Sequence, residues 1–497
     1  MRSFHTISAL LALLSSPAFA FTCPAKGGPE WREYTTEHFR VDTDLSGVKV
    51  DILIKDLETM RSLLVRGLFG DEVDIPGRMR VVALASPSDF RMLAGSEMIS
   101  AYFMTNSSGD AVIVLPVEGL KASEELVAHE IAHHLSRYQF PEQPAWFAEG
   151  LAAFLQTVAR RDEQRQTEQW SHVVRGGSTA GGAVGLMPSD YTAAFRANQQ
   201  PVPARELFEW RGGESLGDPG RYHVSSWLLY HWLWNQRGKQ LAEYQKRLAD
   251  GDEPAAVWKS VFPEYDPVRP AGLAALDDEI RKYGKSARYA FYKVNATASF
   301  KTADAPLSSA QVHLLLVQAR LRWPESREAM IRAELEEALR EDPQNVEVIV
   351  ERARLNRAEP DVTRLRAIAN ARKTDFRAWL AVGDWTNDGI EERLAYQKAA
   401  ALNPQSADAQ LGAARALAAA GQAREAVGFA NRAVDLAPWN PRAVETLAIS
   451  AHGTGKCAAA LQLQRRAVRM FGDDEQAVAE AKKRLADFQA SCKPPAQ

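Results

Sequence analysis

The 497-residue sequence predicts an α+β N-terminal lobe joined to a helical lobe, followed by an all-α array of helix pairs. Three observations carry that reading. Strand-like alternation is confined to the region before Val117, helical periodicity dominates from Lys121 onward, and in the last third apolar and small residues recur at a fixed interval.

A chain this long exceeds one ordinary core and divides into roughly two to four domains. With 46% hydrophobic and 25% charged residues it has the composition of a soluble globular protein. Its 60 basic and 63 acidic residues leave a formal charge of -3, which gives no reason to expect nucleic acid or an anionic membrane as partner. Arg2, the apolar run "ISALLALL" and the small-residue ending "SSPAFA" have the three parts of a secretory signal over residues 1–20, with cleavage after Ala20 and a periplasmic or extracellular destination. The run is short for a membrane span, and Phe21 and Thr22 are poor residues before a lipidated Cys23. No later run is apolar enough to span a membrane. Three cysteines, Cys23, Cys457 and Cys492, are too few for a disulfide scaffold or a cysteine metal site. Cys457 and Cys492 lie about one helical hairpin apart, and in an exported chain they are expected to pair.

Taken in order, "REYTTEHFRVDTD" alternates as a strand and "VKVDILIKDLETMRSLLVRGLFG" has helical periodicity. Strands follow at "RMRVVALAS", "ISAYFMTN" and "DAVIVLPV", the last two joined by the turn "SSGD". From Lys121 the pattern predicts helices at 123–138, 144–160, 222–236, 238–250 and 271–283, with "RGGSTAGGAVG" as a Gly-rich loop between two of them. The resulting division is a first domain over 21–295, a small, polar, Pro-containing linker over 296–309, and a helical region over 310–490.

Within that last region Gly421 recurs as Gly455, Ala433 as Ala467, Leu402 as Leu436 and Pro404 as Pro438, a period of 34 residues. An alanine five residues before the hairpin end recurs as Ala338 before Pro343, Ala399 before Pro404 and Ala433 before Pro438. These residues resemble tetratricopeptide repeats, in which small alanines stand where two helices cross and proline stands where the second helix stops. The pattern is clearest over 376–472, whereas 344–375 fits no full repeat.

The stretch "VAHEIAHHLSRYQFPEQPAWFAEGLAAFL", 127–155, carries the chemistry. Ser123 can cap a helix whose first turn holds Glu124 and Glu125, both favourable beside the positive helix end. His129 and His133 are four residues apart, so their imidazoles share a face and can meet one tetrahedral ion. Glu130 is placed to reach a metal-bound water rather than the metal. A zinc ion used in hydrolysis takes three protein ligands and keeps one position open. The leading third donor is Glu149, sixteen positions past His133 and beyond the turn "QFPEQP". Pro144 starts its helix where a missing N–H costs nothing, and Gly150 lets a neighbouring backbone approach. His134, about 100° round the helix from His133, falls outside the ligand set.

"HEIAH" followed by "WFAEG" resembles the gluzincin metallopeptidases, in particular their peptidase-MA-like branch, over roughly residues 31–290. The resemblance implies a zincin-like lobe, Zn2+ as cofactor, His129, His133 and Glu149 as ligands, and Glu130 as general base. It also implies a tyrosine or histidine on a later helix to stabilise the oxyanion. "RYHVSSWLLYHW" offers Tyr222, His223 and His231, and the "Y-x-x-x-S-W" spacing favours Tyr222, with His223 second. Strand "DAVIVLPV" stands where gluzincins pair substrate against a sheet edge, a placement equally compatible with an ordinary core strand. Two departures are visible. Ala153 stands where thermolysin-like enzymes carry an acidic partner to a ligand, and "VLPVEGL" lacks the Gly-x-Met-Glu-Asn stretch of the gluzincin aminopeptidases.

The function expected is thus an exported zinc-dependent endopeptidase whose repeats dock a peptide or protein partner. Two alternatives stand beside it: a non-catalytic repeat scaffold with a vestigial peptidase lobe, and a peptidase of outer-membrane assembly quality control.

Overall fold

The computed structural model describes residues 23–492 apart from 71–72, 74, 96–100, 106–110, 117–123, 160–178, 190, 193–199, 213–218, 287 and 321–327. The signal segment 1–20, the "SSGD" turn and the Ser123 cap lie outside the described residues.

An N-terminal α/β region is built on a mixed six-stranded sheet. Its first elements are β1 (Arg32–Thr35), β2 (Phe39–Thr43), helix α1 (Val48–Phe69), β3 (Met79–Leu84), α2 (Pro87–Ala94), β4 (Tyr102–Thr105) and β5 (Ala111–Pro116). Strand β2 runs parallel to β3, and β3 parallel to β5. Strand β1 pairs antiparallel with β2, and β4 with β5. Parallel neighbours need a crossover, and α1 supplies the one between β2 and β3. The expectation of a simple α+β lobe is corrected to that extent. Strand β5 lies inside the sheet, between β3 and β4, so the edge on that side is β4.

The next elements are α3 (Glu124–Gln139), α4 (Ala145–Leu155), β6 (Thr179–Val184), α5 (Ala204–Glu209), α6 (Pro219–Gln236), α7 (Gly238–Ala249), α8 (Pro254–Val261) and α9 (Pro270–Ser286). Strands do continue past Lys121. Part of the predicted Gly-rich loop is β6, which pairs antiparallel with β7 (Tyr292–Thr297). Glycine is depleted in strands, so "TAGGAV" carries no strand signal, yet its smallness lets β6 lie against the 3-10 turn Gln156–Ala159.

The predicted linker 296–309 is also structured. Strand β8 (Ala303–Pro306) pairs antiparallel with β1 and completes the sheet order β4-β5-β3-β2-β1-β8. All four of its residues are exposed, so no apolar alternation betrays it. Ser308 then closes a reciprocal capping box with Gln311 at the start of α10 (Ser309–Gln318). One face of α10 packs through Val312, Leu315 and Leu316 on Val82, Leu84 and Tyr102 of the sheet and on Phe90 of α2. The other face, through Ala310, Leu314 and Val317, packs on the following helices.

Those helices form a tetratricopeptide-like array: α11 (Glu328–Glu341), α12 (Val346–Leu355), α13 (Val362–Ala371), α14 (Phe376–Trp385), α15 (Gly389–Leu402), α16 (Ala407–Ala419), α17 (Ala423–Leu436), α18 (Pro441–Gly453), α19 (Cys457–Met470) and α20 (Glu475–Ser491). Ala338, Ala399, Ala433 and Ala467 are each 1% exposed or less, as small residues at close helix crossings must be. Segment 344–375, which fitted no repeat, nonetheless folds as the hairpin α12–α13, with Asn345 and Asp361 capping its two helices. Cys457 and Cys492 form a disulfide joining the start of α19 to the end of α20.

The array touches the N-terminal region a second time. Glu142, in the turn between α3 and α4, accepts from Arg469 at 2.8 Å and pairs with Arg466 at 3.1 Å. Trp439 meets Tyr138 edge-on, and the Arg137 guanidinium lies 3.6 Å from the Trp439 ring centre. The repeats are therefore held at both ends.

Candidate metal centre

Helix α4 explains why one carboxylate can be placed so firmly. Its sequence "AWFAEGLAAFL" is apolar almost all round, the pattern of a helix buried on every side. Trp146 and Phe147 pack among Tyr230, Tyr244 and Trp258, and Phe154 packs on Tyr230 and Trp234. Each such ring stabilises the packed helix by about 1.5–3 kcal/mol. Rotating the helix would expose them, so Glu149 is fixed in direction by its neighbours. Gly150 faces α6 rather than α3: a Cβ there would lie 2.5 Å from the Ser226 carbonyl oxygen and 2.8 Å from Tyr230 Cβ. This glycine brings close the helix that carries Tyr222 and His223.

On α3, His129 and His133 project together as their spacing requires. Their Nε2 atoms are 2.9 Å apart. His129 Nε2 lies 3.1 Å from one Glu149 oxygen, and His133 Nε2 lies 3.4 Å from the other. Ligand atoms at about 2.0–2.2 Å from a tetrahedral zinc stand about 3.3–3.6 Å from one another, so the donor set fits that ion after small adjustments. All three side chains keep some exposure, 12%, 20% and 20%, so the trio is reachable from solvent.

The charges agree with the geometry. Burial alone would raise the Glu149 carboxyl, but hydrogen bonds from His129 and His133 and their charges hold it well below the usual carboxylate range. Burial likewise presses the His129 imidazole down, and the Glu149 hydrogen bond with the charges of Glu130 and Glu149 outweighs it, lifting the group to about 9. The trio is a site that attracts positive charge. Glu130 is partly buried, and burial raises its carboxyl against the pull of His129 and His133, with Glu149 adding to the rise. A raised carboxyl beside such a trio suits general-base work near neutral pH.

Sequence reasoning missed Gln156. His129 donates through Nδ1 to Gln156 Oε1 at 2.7 Å, and Gln156 Nε2 donates to Glu125 at 3.3 Å. Glu125 also accepts from the Ser189 backbone N–H at 3.1 Å. The 3-10 turn that carries Gln156 is itself held by Thr157, which donates to the Ala183 carbonyl on β6. Orientation of His129, which Ala153 cannot supply, thus comes from an amide. Position 156 is two helical turns past Glu149 and polar within an apolar run, and that was its signal.

The remaining site residues separate. His223 Nε2 lies 3.9 Å from Glu149 Oε2, and its side chain is 38% exposed. Burial lowers its imidazole, His129 and His133 add to that, and Glu149 opposes it. Tyr222, favoured from the sequence, packs its ring tilted on Trp210 at 5.1 Å, and His223 meets the same Trp210 at 5.6 Å. His231 is fully buried, with Nδ1 on Tyr283 and Nε2 donating to the carbonyls of Gly185 and Ala290. It is a core residue. His134 is buried too, against Tyr138, and takes no part in the trio.

Neither a family model nor a curated protein matches the chain. Solved structures share helical repeats with it. A thermophilic TPR protein from Thermus thermophilus is 17% identical, over 33% of this chain and 92% of that one, with a TM-score of 0.26. The MamA protein is 19% identical, over 34% and 91%, with a TM-score of 0.22. The APC/C hetero-tetramer Cut9-Hcn1 is 12% identical, over 76% and 80%, with a TM-score of 0.20.

Proposed function

We propose that the chain is an exported zinc-dependent peptidase of the gluzincin kind, cleaving within peptide chains, with a zincin-like lobe over the N-terminal region. The observation that supports it is the convergence of His129, His133 and Glu149 on one point beside Glu130. Bound there, zinc supplies Lewis acidity, which makes water a nucleophile near neutral pH and polarises the scissile carbonyl. The chain's own groups do the rest. Glu130 accepts the proton of the attacking water and returns it to the leaving amine. His223, with its Nε2 at the Glu149 side of the trio, donates to the developing oxyanion, and Tyr222 keeps α6 seated on Trp210. The helical repeats suit a protein partner, presented as an extended or helical segment. Among the described residues no helix is long and apolar enough to cross a membrane.

Glu130→Gln tests the reading. The full chain should retain its zinc by elemental analysis while cleavage of a denatured protein mixture falls by about 10²–10⁴-fold. A parent without zinc, or a variant that cleaves as fast as the parent, would leave a binding scaffold as the better description.

A further inference from the structure

A second cluster of metal-binding side chains lies far from α3, where the first described residue meets the first repeat helices. Cys23 is 1% exposed and is the one free cysteine among the described residues. It stands beside His313 of α10 and Glu341 at the end of α11, and ligand atoms of the three lie within 4.8 Å of one another. Cys23 Sγ donates to Glu341 Oε1 at 3.3 Å, and His313 Nε2 is 3.9 Å from the same oxygen.

Two details distinguish this trio from a chance contact. His313 is 2% exposed, and its Nε2 has no hydrogen-bond partner, although a buried imidazole nitrogen normally finds one. It points at the thiol and the carboxylate. On the far side of the ring, Nδ1 is held by the buried Glu334, whose other oxygen lies 3.7 Å from Arg320. A carboxylate on one imidazole nitrogen that leaves the other nitrogen bare is the arrangement that orients metal-ligating histidines. Glu341 Oε2 is also buried without a partner.

We infer that Cys23, His313 and Glu341 form a second zinc site, with Glu334 as the positioning residue behind His313. Thiolate, imidazole and carboxylate are all zinc donors, and the two distances to Glu341, 3.3 and 3.9 Å, lie near the roughly 3.3–3.6 Å between neighbouring ligand atoms of a tetrahedral ion, with all three donors within 4.8 Å. The site ties the start of the chain to the α10–α11 pair, beside the contacts from the Ala25 N–H to Ser309 and from Lys26 to Glu337. It also gives a use to a buried free thiol in a chain whose other two cysteines are paired. Cysteine count argued against any cysteine metal site, because a single cysteine joined by a distant histidine and carboxylate leaves no spacing to read.

Cobalt(II) is the probe, since thiolate ligation gives it a near-ultraviolet charge-transfer band. The full chain carrying His129→Ala and His133→Ala, so that the first trio cannot report, should bind one equivalent of Co2+ with that band. Cys23→Ser in this background should abolish the band, and His313→Gln should weaken binding by at least about tenfold. Glu334→Gln provides a variant that keeps all three ligands, and about 10–100-fold weaker binding is expected from it. Absence of the band, or its persistence after Cys23→Ser, would show a hydrogen-bonded trio only and overturn the site. In the otherwise unaltered chain, Cys23→Ser should remove one of two zinc ions and spare hydrolysis. Failure of the peptidase reading would instead show in the parent, as one zinc ion removed by Cys23→Ser and no hydrolysis.

Discussion

The two histidine–carboxylate clusters use the same chemistry and differ in access. His129, His133 and Glu149 remain 12–20% exposed, and His223 borders them at 38%. Cys23 and His313 are 1% and 2% exposed, and only Glu341 of that trio, at 19%, reaches solvent. A site that must admit substrate keeps a face open, whereas one that only joins segments can be sealed. Orientation differs as well. The open cluster steers His129 with a neutral amide, and the sealed one steers His313 with a carboxylate. The amide leaves the negative charge of the open cluster to Glu149 and Glu130.

The contrast can be broken most forcefully at Glu149. Glu149→Ala should weaken zinc binding at the open cluster by more than about a hundredfold, since losing an orienting group alone costs about 10–100-fold. Competition with a chromophoric chelator measures this, and unchanged affinity would remove Glu149 from the ligand set. Gln156→Leu should cost about 10–100-fold in zinc affinity while metal at the sealed cluster stays in place. If affinity holds, Gln156 only fills space.

His134 gives the smallest effect and the sharpest control, because it neighbours a ligand without being one. His134→Leu should leave zinc content unchanged. Its difference lies in acid. Burial, followed by the charges of Arg137 and Arg61, lowers the His134 imidazole to about 3. Between its ordinary value near ~6.5 and ~3 the unfolded chain binds a proton that the folded chain refuses. Stability from this group is therefore full above pH ~6.5 and drains as pH falls, by about 1.4 kcal/mol per unit. Denaturant titrations from pH 7 to 4 should show that slope in the parent and a smaller one in His134→Leu.

How much of this was legible depended on how local each signal is. His129, His133 and Glu130 share one helix, and Glu149 follows one turn later, so four candidate residues could be picked out of 29 consecutive positions, 127–155. The repeat alanines were legible because close crossing demands a small side chain at a fixed interval. Gln156 was not, since its role depends on where a 3-10 turn leaves it. His223 and Tyr222 are consecutive, and only the seating of α6 brings His223 Nε2 to 3.9 Å from Glu149. Segment 344–375 folds as a helical hairpin without the repeat's signature, because caps and apolar faces are enough for that. The sealed cluster draws on residues 23, 313 and 341, and no pattern of spacing connects them.

Strand β8 has a consequence for the order in which the molecule is made. Arg32 pairs with Pro306, so β1 remains an open edge until almost two thirds of the chain has been synthesised. Only then can α10 cover Val82 and Leu84 of the sheet, with Trp31 and Phe90 beside them. During synthesis the N-terminal region is an unfinished fold waiting for a strand that looks like a spacer. A shortened chain ending before β8 would lack both the strand and its cover, which extends through Ala319, whose carbonyl accepts from Tyr102.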